Sequence, residues 1–219
     1  QDRGFVYGQQ KMIAQYNCTG DWAFYVEGDE VYHENDLEKI RESMKVNLND
    51  QNVEALVFDF IHFYGNSNSY INSPGWYRSE ARIIRNSVRS YAPDGLFWLV
   101  LDSNKEGRYP KARHTGAICY HYGWVRSEEQ MNLKSKKVKK YWGENYEKID
   151  YSQMDQSIIE EFKGTHPEII KNWLPKESGI FKTNANYKLT KKQKKHQLMI
   201  KLEKFFGIEL SKKHYKLIR

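Results

Sequence analysis

The chain has 219 residues, with 35 Lys and Arg against 28 Asp and Glu, a formal net charge of +7, and 39% hydrophobic and 15% aromatic residues. This length and apolar content exclude disorder as the state of the whole chain, and no apolar run approaches the roughly 18 residues of a membrane span. Two cysteines, Cys18 and Cys119, make neither a disulfide framework nor a zinc site.

The charge is divided unevenly along the chain. Residues 1–126 hold 14 Lys and Arg against 16 Asp and Glu, whereas residues 127–219 hold 21 against 12. The basic rear part predicts contact with nucleic acid, an anionic membrane or a phosphorylated substrate. The first residues lack the basic-then-apolar pattern of a signal peptide, so we expect a cytoplasmic protein. The basic rear part extends this expectation to peripheral contact with the cytoplasmic face of the membrane.

The first part of the sequence predicts strands with one helix among them. Short apolar runs bounded by turn residues predict strands at 22–26, 53–64, 81–85, 96–101 and 117–122. The segment 65–68, Gly-Asn-Ser-Asn, is expected to close the second strand as a turn. Asn35 is expected to cap a helix that places Leu37, Ile40, Met44 and Leu48 on one face.

After residue 126 the pattern predicts helices. One is expected from Ser127 to Gly143, a second over 152–162, a third from Thr165 to Pro175 and a fourth from Thr190 to Gly207. In the fourth helix, Leu198, Leu202, Phe205 and Phe206 share a face that is expected to pack on the rest of the protein, with lysines toward solvent. The predicted fold is α/β: a sheet domain over 1–126 and a basic helical region over 127–219.

The acidic segment Glu27-Gly28-Asp29-Glu30 follows the first predicted strand directly. Three carboxylates within four residues repel one another unless a cation or a donor lies among them, and hard divalent ions prefer oxygen ligands of this kind. Carboxylates at the end of a buried strand also lie where open α/β sheets bind ligands. A solvated turn between strand and helix is the alternative, and the sequence leaves both open.

Two further segments carry candidate side chains. His121 ends a predicted strand and is followed by Gly123 and Arg126, so it could ligate a metal or help to hold a phosphate, or be a core histidine. Arg82 and Arg85 lie three apart on a strand and therefore face opposite sides. One could reach a phosphate while the other pairs with an acid, or both could serve edge-strand solubility.

These segments together resemble the family 2 glycosyltransferases with the GT-A fold. The stretch 18–31, which contains Gly-Asp-Trp, an apolar run and the acidic segment, is similar to the metal-binding strand of that family. The other matches are at 33–37, 75–77, 82–86, 121–126 with the following Lys134, and 164–167. Each motif alone has only moderate specificity for the family, and the order and spacing of the motifs along the chain make the resemblance more specific.

The resemblance implies transfer of a sugar from a nucleotide-sugar donor to a glycan or lipid-linked acceptor. It implies that Glu27, Asp29 and Glu30 hold Mn²⁺ or Mg²⁺ on the donor diphosphate, that His121 completes the metal site, and that the arginines Arg82, Arg85 and Arg126 contact the donor. Asp29 is the safest of the acids, since Glu27 stands where the family has Asp. An inverting enzyme of this family needs a carboxylate base, and Glu80 is the candidate.

The resemblance also departs from the family pattern at the start of the chain. In the GT-A fold, the strands that bind the nucleotide base precede the metal-binding strand by much more than the 26 residues that precede Glu27 here. We therefore expect that this chain lacks the N-terminal part of a longer enzyme. Residues 1–126 would then hold the metal and acceptor side, and the isolated chain should bind a nucleotide-sugar weakly.

The rival hypothesis is a non-catalytic basic module that binds nucleic acid or an anionic surface. It rests on the basic rear part, where Tyr141, Trp142, Tyr146 and Trp173 could stack on bases. No nucleic-acid motif appears, so nucleic acid is not the expected partner. The two hypotheses differ in one geometric expectation: the enzyme requires Asp29 and His121 to lie within metal-bridging reach at one edge of the sheet.

Overall fold

A computed structural model describes residues 3–142, 148–176 and 179–218, without the side chains of Lys140 and Trp142. The α-helices are α1 Phe5–Tyr16, α2 Leu37–Val46, α3 Glu128–Trp142, α4 Glu168–Lys171 and α5 Lys191–Phe206. The strands are β1 Trp22–Phe24, β2 Glu30–Tyr32, β3 Ala55–Tyr64, β4 Asn66–Ile71, β5 Ser79–Arg85, β6 Ser90–Tyr91, β7 Leu99–Leu101, β8 Gly107–Arg108, β9 Lys111–Trp124, β10 Ile159–Glu161 and β11 Lys216–Leu217.

The long strands β3 and β9 form the centre of a mixed sheet. They run parallel, with Ala55 beside Ala112 and His62 beside His121. The other edge of β3 pairs antiparallel first with β5 and then with β4, and β1 and β10 extend these two strands outward. The far edge of β9 carries antiparallel β2 and parallel β11. The predicted mixed α/β class is confirmed, and β6, β7 and β8 form a separate small sheet.

The core lies on both faces of β3, as its continuous apolar run predicts. On one face Leu56 and Phe58 pack with Ile83 and with Ile40 of α2. On the other, Val57 and Ile84 pack around Trp98, whose indole nitrogen donates to Gln15 of α1 at 2.9 Å. This double-sided burial fixes β3, which carries His62, and its neighbour β9, to which β2 is paired.

Two predictions are wrong, one in each half of the chain. The helix expected over 152–162 is a short 3₁₀ turn, Gln156–Ile158, followed by β10. Asp155 caps that turn by accepting from the Ser157 amide, and Ile159 then pairs with Ile71 of β4. The residues expected to form only a turn after Tyr64 begin β4. The region after residue 126 thus adds two strands, β10 and β11, to the same sheet.

The helices α2, α3 and α5 lie where the sequence predicts them, with differences at their ends and faces. A 3₁₀ turn, Glu34–Asp36, precedes α2. The residue that caps this turn is His33, whose side chain accepts from the Asn35 amide, and not Asn35 as predicted. The third predicted helix shortens to the single turn α4, and the expected stop of α3 at Gly143 lies outside the described residues. α5 has the predicted Thr190–Gln193 capping box. The predicted inward face of α5 is wrong, because its leucines and phenylalanines are exposed.

Among the described residues, no helix is long and apolar enough to cross a bilayer.

Candidate functional site

Three side chains from adjacent strands lie in a row on one face of the sheet. Glu30 of β2 is the register partner of His121 of β9, and His121 is the register partner of His62 of β3. Register partners project to the same face, so these side chains are neighbours by construction. The turn Glu27-Gly28-Asp29, between β1 and β2, lies at the end of this row.

Hydrogen bonds fix the orientation of both imidazoles. His62 Nε2 lies 2.8 Å from the carbonyl oxygen of Tyr77, which can only accept, so His62 Nε2 carries the proton. Burial lowers the pKa of His62 to about 3, so the ring is neutral and its Nδ1 is an acceptor. His121 Nδ1 lies 2.9 Å from that atom and must donate to it. The lone pair of neutral His121 is therefore on Nε2.

Asp29 faces that lone pair. Its Oδ1 lies 3.7 Å from His121 Nε2, and its Oδ2 accepts from Lys134 Nζ at 3.0 Å with Arg126 Nη2 at 4.0 Å. Burial alone would raise the pKa of Asp29, but the positive charges of His121 (when protonated), Lys134 and Arg126 outweigh it and the pKa is lowered. Burial lowers the pKa of His121 despite the nearby Asp29 carboxylate. When His121 is neutral, a charged oxygen and a nitrogen lone pair therefore face each other at 3.7 Å.

Glycine at position 123 keeps the space beside this pair open. A Cβ at Gly123 would lie 2.6 Å from His121 Nε2 and 2.9 Å from Asp29 Oδ2. A cation fits the chemistry of this space, since both facing atoms are acceptors. The described residues contain no group of three or more His, Cys, Asp or Glu side chains arranged to hold a metal. Asp29 Oδ1 and His121 Nε2 are thus two atoms that could ligate a metal here, and any further ligands would have to come from substrate and water.

The other two acids of the segment face Arg82. Its guanidinium donates to both oxygens of Glu30 at 2.6–3.1 Å, and neither side chain is exposed. Burial opposes the charge of Arg82, but the bonds to Glu30 outweigh it and raise the pKa. Glu27 lies 3.7 Å from the same guanidinium and is partly exposed. Burial raises the pKa of Glu27 against the effect of Arg82.

A cleft of about 290 Å³ opens over Glu27. Its walls hold three tyrosines, a leucine and a lysine: Tyr7, Tyr25, Tyr77, Leu96 and Lys134. Lys134 therefore both lines the cleft and contacts Asp29, which connects the cleft to the Asp29–His121 pair.

Two expected site residues are engaged elsewhere. Arg85 donates to the backbone carbonyls of Val53, Leu48, Asn47 and Asp50 at 2.8–3.0 Å, which ties β5 to the loop after α2. Glu80 is fully buried, and its Oε2 lies 2.5 Å from His214 Nδ1. Neither residue lines the cleft over Glu27.

Three residues of this site have roles that their sequence context does not predict. His62 interrupts an apolar strand, and a single polar residue at such a place is a signal for a buried hydrogen-bonded group. Lys134 lies on α3, 105 residues from Asp29, and only the resemblance drew attention to it. Gly123 follows His121 in the sequence, but the space it leaves beside Asp29 becomes visible only in the structure.

Comparison with models of known protein families and with curated proteins finds no match to this chain.

Proposed function

We propose that this chain is a metal-dependent glycosyltransferase that moves a sugar from a nucleotide-sugar donor to a glycan or lipid-linked acceptor. The observation that carries the proposal is the Asp29–His121 pair, two acceptors 3.7 Å apart beside the space left by Gly123. The mixed sheet, with the acidic turn at one end of its central strands, supports a GT-A-like domain, which is the finer part of this proposal.

The cations around Asp29 support a diphosphate as the ligand. Lys134 and Arg126 contact one oxygen of Asp29, and both side chains are about 40% exposed. They can therefore turn toward a bound anion while Asp29 Oδ1 and His121 Nε2 hold a cation. Mn²⁺ or Mg²⁺ bound at this pair would neutralise the charge that develops on a leaving nucleoside diphosphate.

The cleft supports a sugar beside that diphosphate. Tyr25 and Tyr77 present ring surface for the apolar faces of a pyranose, and Glu27 supplies a partly exposed carboxylate. Glu27 faces Arg82 rather than Asp29 and His121, so we do not assign it to the metal. Its carboxylate lines the cleft, where it can accept hydrogen bonds from sugar hydroxyls. Lys134 stands between the sugar and diphosphate positions.

The test is binding of Mn²⁺ with inorganic pyrophosphate, which needs no pocket for a nucleotide base. We expect Asp29→Asn and Gly123→Ala each to weaken binding in isothermal titration by about tenfold or more. Gly123→Ala fills the space without removing any ligand. The matched control is His114→Gln, because His114 and Asp59 form a similar pair at 3.8 Å on the surface.

Equal affinity in the wild type, Asp29→Asn and Gly123→Ala would refute the proposal, as would a comparable loss of affinity in the His114→Gln control.

A further inference from the structure

The exposed face of α5 combines apolar and basic side chains. Leu198, Leu202 and Phe205 follow one another at spacings of four and three, so they lie on one face of the helix. Leu198 is 58% exposed and Phe205 is 82% exposed. Phe206, the last residue of α5, and Ile208 after it extend the exposed apolar surface. Large side chains exposed in a row mark a surface that contacts something else.

The opposite face of α5 holds the helix in place. His196 packs on Gly75, where a Cβ would lie 2.3 Å from the imidazole. Ile200 joins the core cluster of Tyr64 and Ile71. Glu203 forms a bidentate ion pair with Arg78 at 2.7 and 3.0 Å. The exposed leucines and phenylalanines are therefore presented outward by a helix that is already packed.

The charge on this helix is of one sign. The exposed lysines of the segment are Lys188, Lys191, Lys192, Lys194, Lys195, Lys201 and Lys204. Glu203 is the one acidic residue over 188–206, and it points inward to Arg78. Lys194, Lys195 and Lys201 lie three or four residues from Leu198, so they share its face.

We propose that α5 docks this protein on an anionic lipid bilayer, with the face that holds Leu198, Leu202 and Phe205 inserted at the headgroup level. An apolar stripe with lysines around it is the pattern of helices that lie in the membrane interface. The lysines contact lipid phosphates while the leucine and phenylalanine side chains enter the acyl boundary. This inference does not depend on the proposed transferase activity.

Charge and side-chain type favour an anionic bilayer over a second copy of this chain and over nucleic acid as the binding partner of α5. A second copy of the chain would bring seven lysines against seven lysines, which like-charge repulsion disfavours. Nucleic acid would satisfy the lysines but would leave aliphatic Leu198 and Leu202 without a binding role, since bases stack on aromatic rings. An anionic bilayer satisfies both the charge and the apolar stripe.

The experiment is co-sedimentation of the chain with vesicles of phosphatidylcholine, alone or with phosphatidylglycerol, at low and at high salt. We expect binding only to the anionic vesicles, and weaker binding at high salt because the attraction is screened within about 10 Å at 0.1 M. Lys194→Gln/Lys195→Gln/Lys201→Gln should lower the partition coefficient roughly tenfold or more. Leu198→Ser/Phe205→Ser should also lower it roughly tenfold.

Two control variants make comparable changes on other surfaces of the protein. Lys45→Gln/Lys137→Gln/Lys163→Gln removes the same charge from exposed positions elsewhere, and Ile13→Ser removes a side chain that is 54% exposed on α1. Both controls should bind like the wild type. All substituted positions are exposed, so far-ultraviolet circular dichroism should be unchanged in every variant.

Three results would overturn the proposal. One is no binding to anionic vesicles at low salt. Another is an equal loss of vesicle binding in the lysine control and in the α5 lysine variant, which would show that binding depends on net charge and not on α5. The third is single-stranded RNA binding tighter than vesicle binding and unchanged by Leu198→Ser/Phe205→Ser, which would assign the face to nucleic acid.

Discussion

Glu30→Gln should destabilise the fold strongly, although Glu30 stands among acids that resemble a metal-binding motif. Its carboxylate accepts three hydrogen bonds from Arg82 at 2.6–3.1 Å, and both side chains are fully buried. Removing one partner of a buried pair leaves the other charge uncompensated, which costs about 3–5 kcal/mol. Glu27 lies 3.7 Å from Arg82 and offsets part of this, so we expect a loss of about 3 kcal/mol.

The assay is urea unfolding followed by tryptophan fluorescence, with Asp29→Asn as the comparison. The amide oxygen introduced by Asp29→Asn would still accept from half-exposed Lys134, so that variant should change the free energy of unfolding by less than about 1 kcal/mol. If Glu30→Gln does not fold, Glu30→Met/Arg82→Met should restore a cooperative transition, because apolar replacement of both partners removes the uncompensated charge. Equal stability losses in Glu30→Gln and Asp29→Asn would refute the division between a structural and a functional acid.

Three further predictions concern Lys11, Arg85 and His62. Burial and nearby Arg82 lower the pKa of Lys11 to about 7, so the unfolded chain binds more protons above that pH. The free energy of unfolding should therefore rise between pH 7 and 8.5 by up to about 1.4 kcal/mol per unit, in urea titrations of the wild type but not of Lys11→Met. A flat profile in both proteins would contradict the burial of this ammonium. Arg85→Lys keeps the charge but cannot reach four carbonyls, so urea unfolding should show a loss of about 2–4 kcal/mol, and an unchanged midpoint would argue against the role of Arg85. His62→Gln should weaken Mn²⁺–pyrophosphate binding about tenfold in titration calorimetry, because His62 fixes the ring of His121. The control His166→Gln, on the other face of the sheet, should bind with the affinity of the wild type. The same loss of affinity in both variants would refute the positioning role of His62.

The sequence predicts the parts of the fold that depend on local pattern. The continuous apolar run of β3 and the capping box at Thr190 are recognisable because the signal and the element occupy the same residues. β10 and β4 are different. β10 forms a strand because it pairs with β4, as Ile159 does with Ile71. The polar segment β4 lies between β10 and β3, which directly precedes it in the chain, and it pairs with both. Such pairing is decided by the tertiary structure, which overrides local propensity.

The outward face of α5 could not be predicted for a related reason. An apolar stripe normally identifies the packed side of a helix. Here the Arg78–Glu203 ion pair and the fit of His196 over Gly75 turn the helix the other way. Both contacts join residues more than 100 positions apart, so the sequence pattern of α5 contains neither.

The candidate site also has features that local sequence predicts and features that depend on distant residues. Asp29 and His121 were expected together, and the structure brings them to 3.7 Å. The roles of Glu30 and Glu80 depend on partners 52 and 134 residues away, Arg82 and His214. A sequence shows a carboxylate but not whether a distant cation or imidazole already occupies it.

The most direct test of the central claim is a crystal structure of the protein with Mn²⁺ and pyrophosphate, examined for the anomalous signal of manganese. We expect one peak between Asp29 Oδ1 and His121 Nε2, beside Gly123, with pyrophosphate density reaching Lys134. A peak at the His114–Asp59 pair instead, or no peak at Asp29 under saturating Mn²⁺, would contradict it.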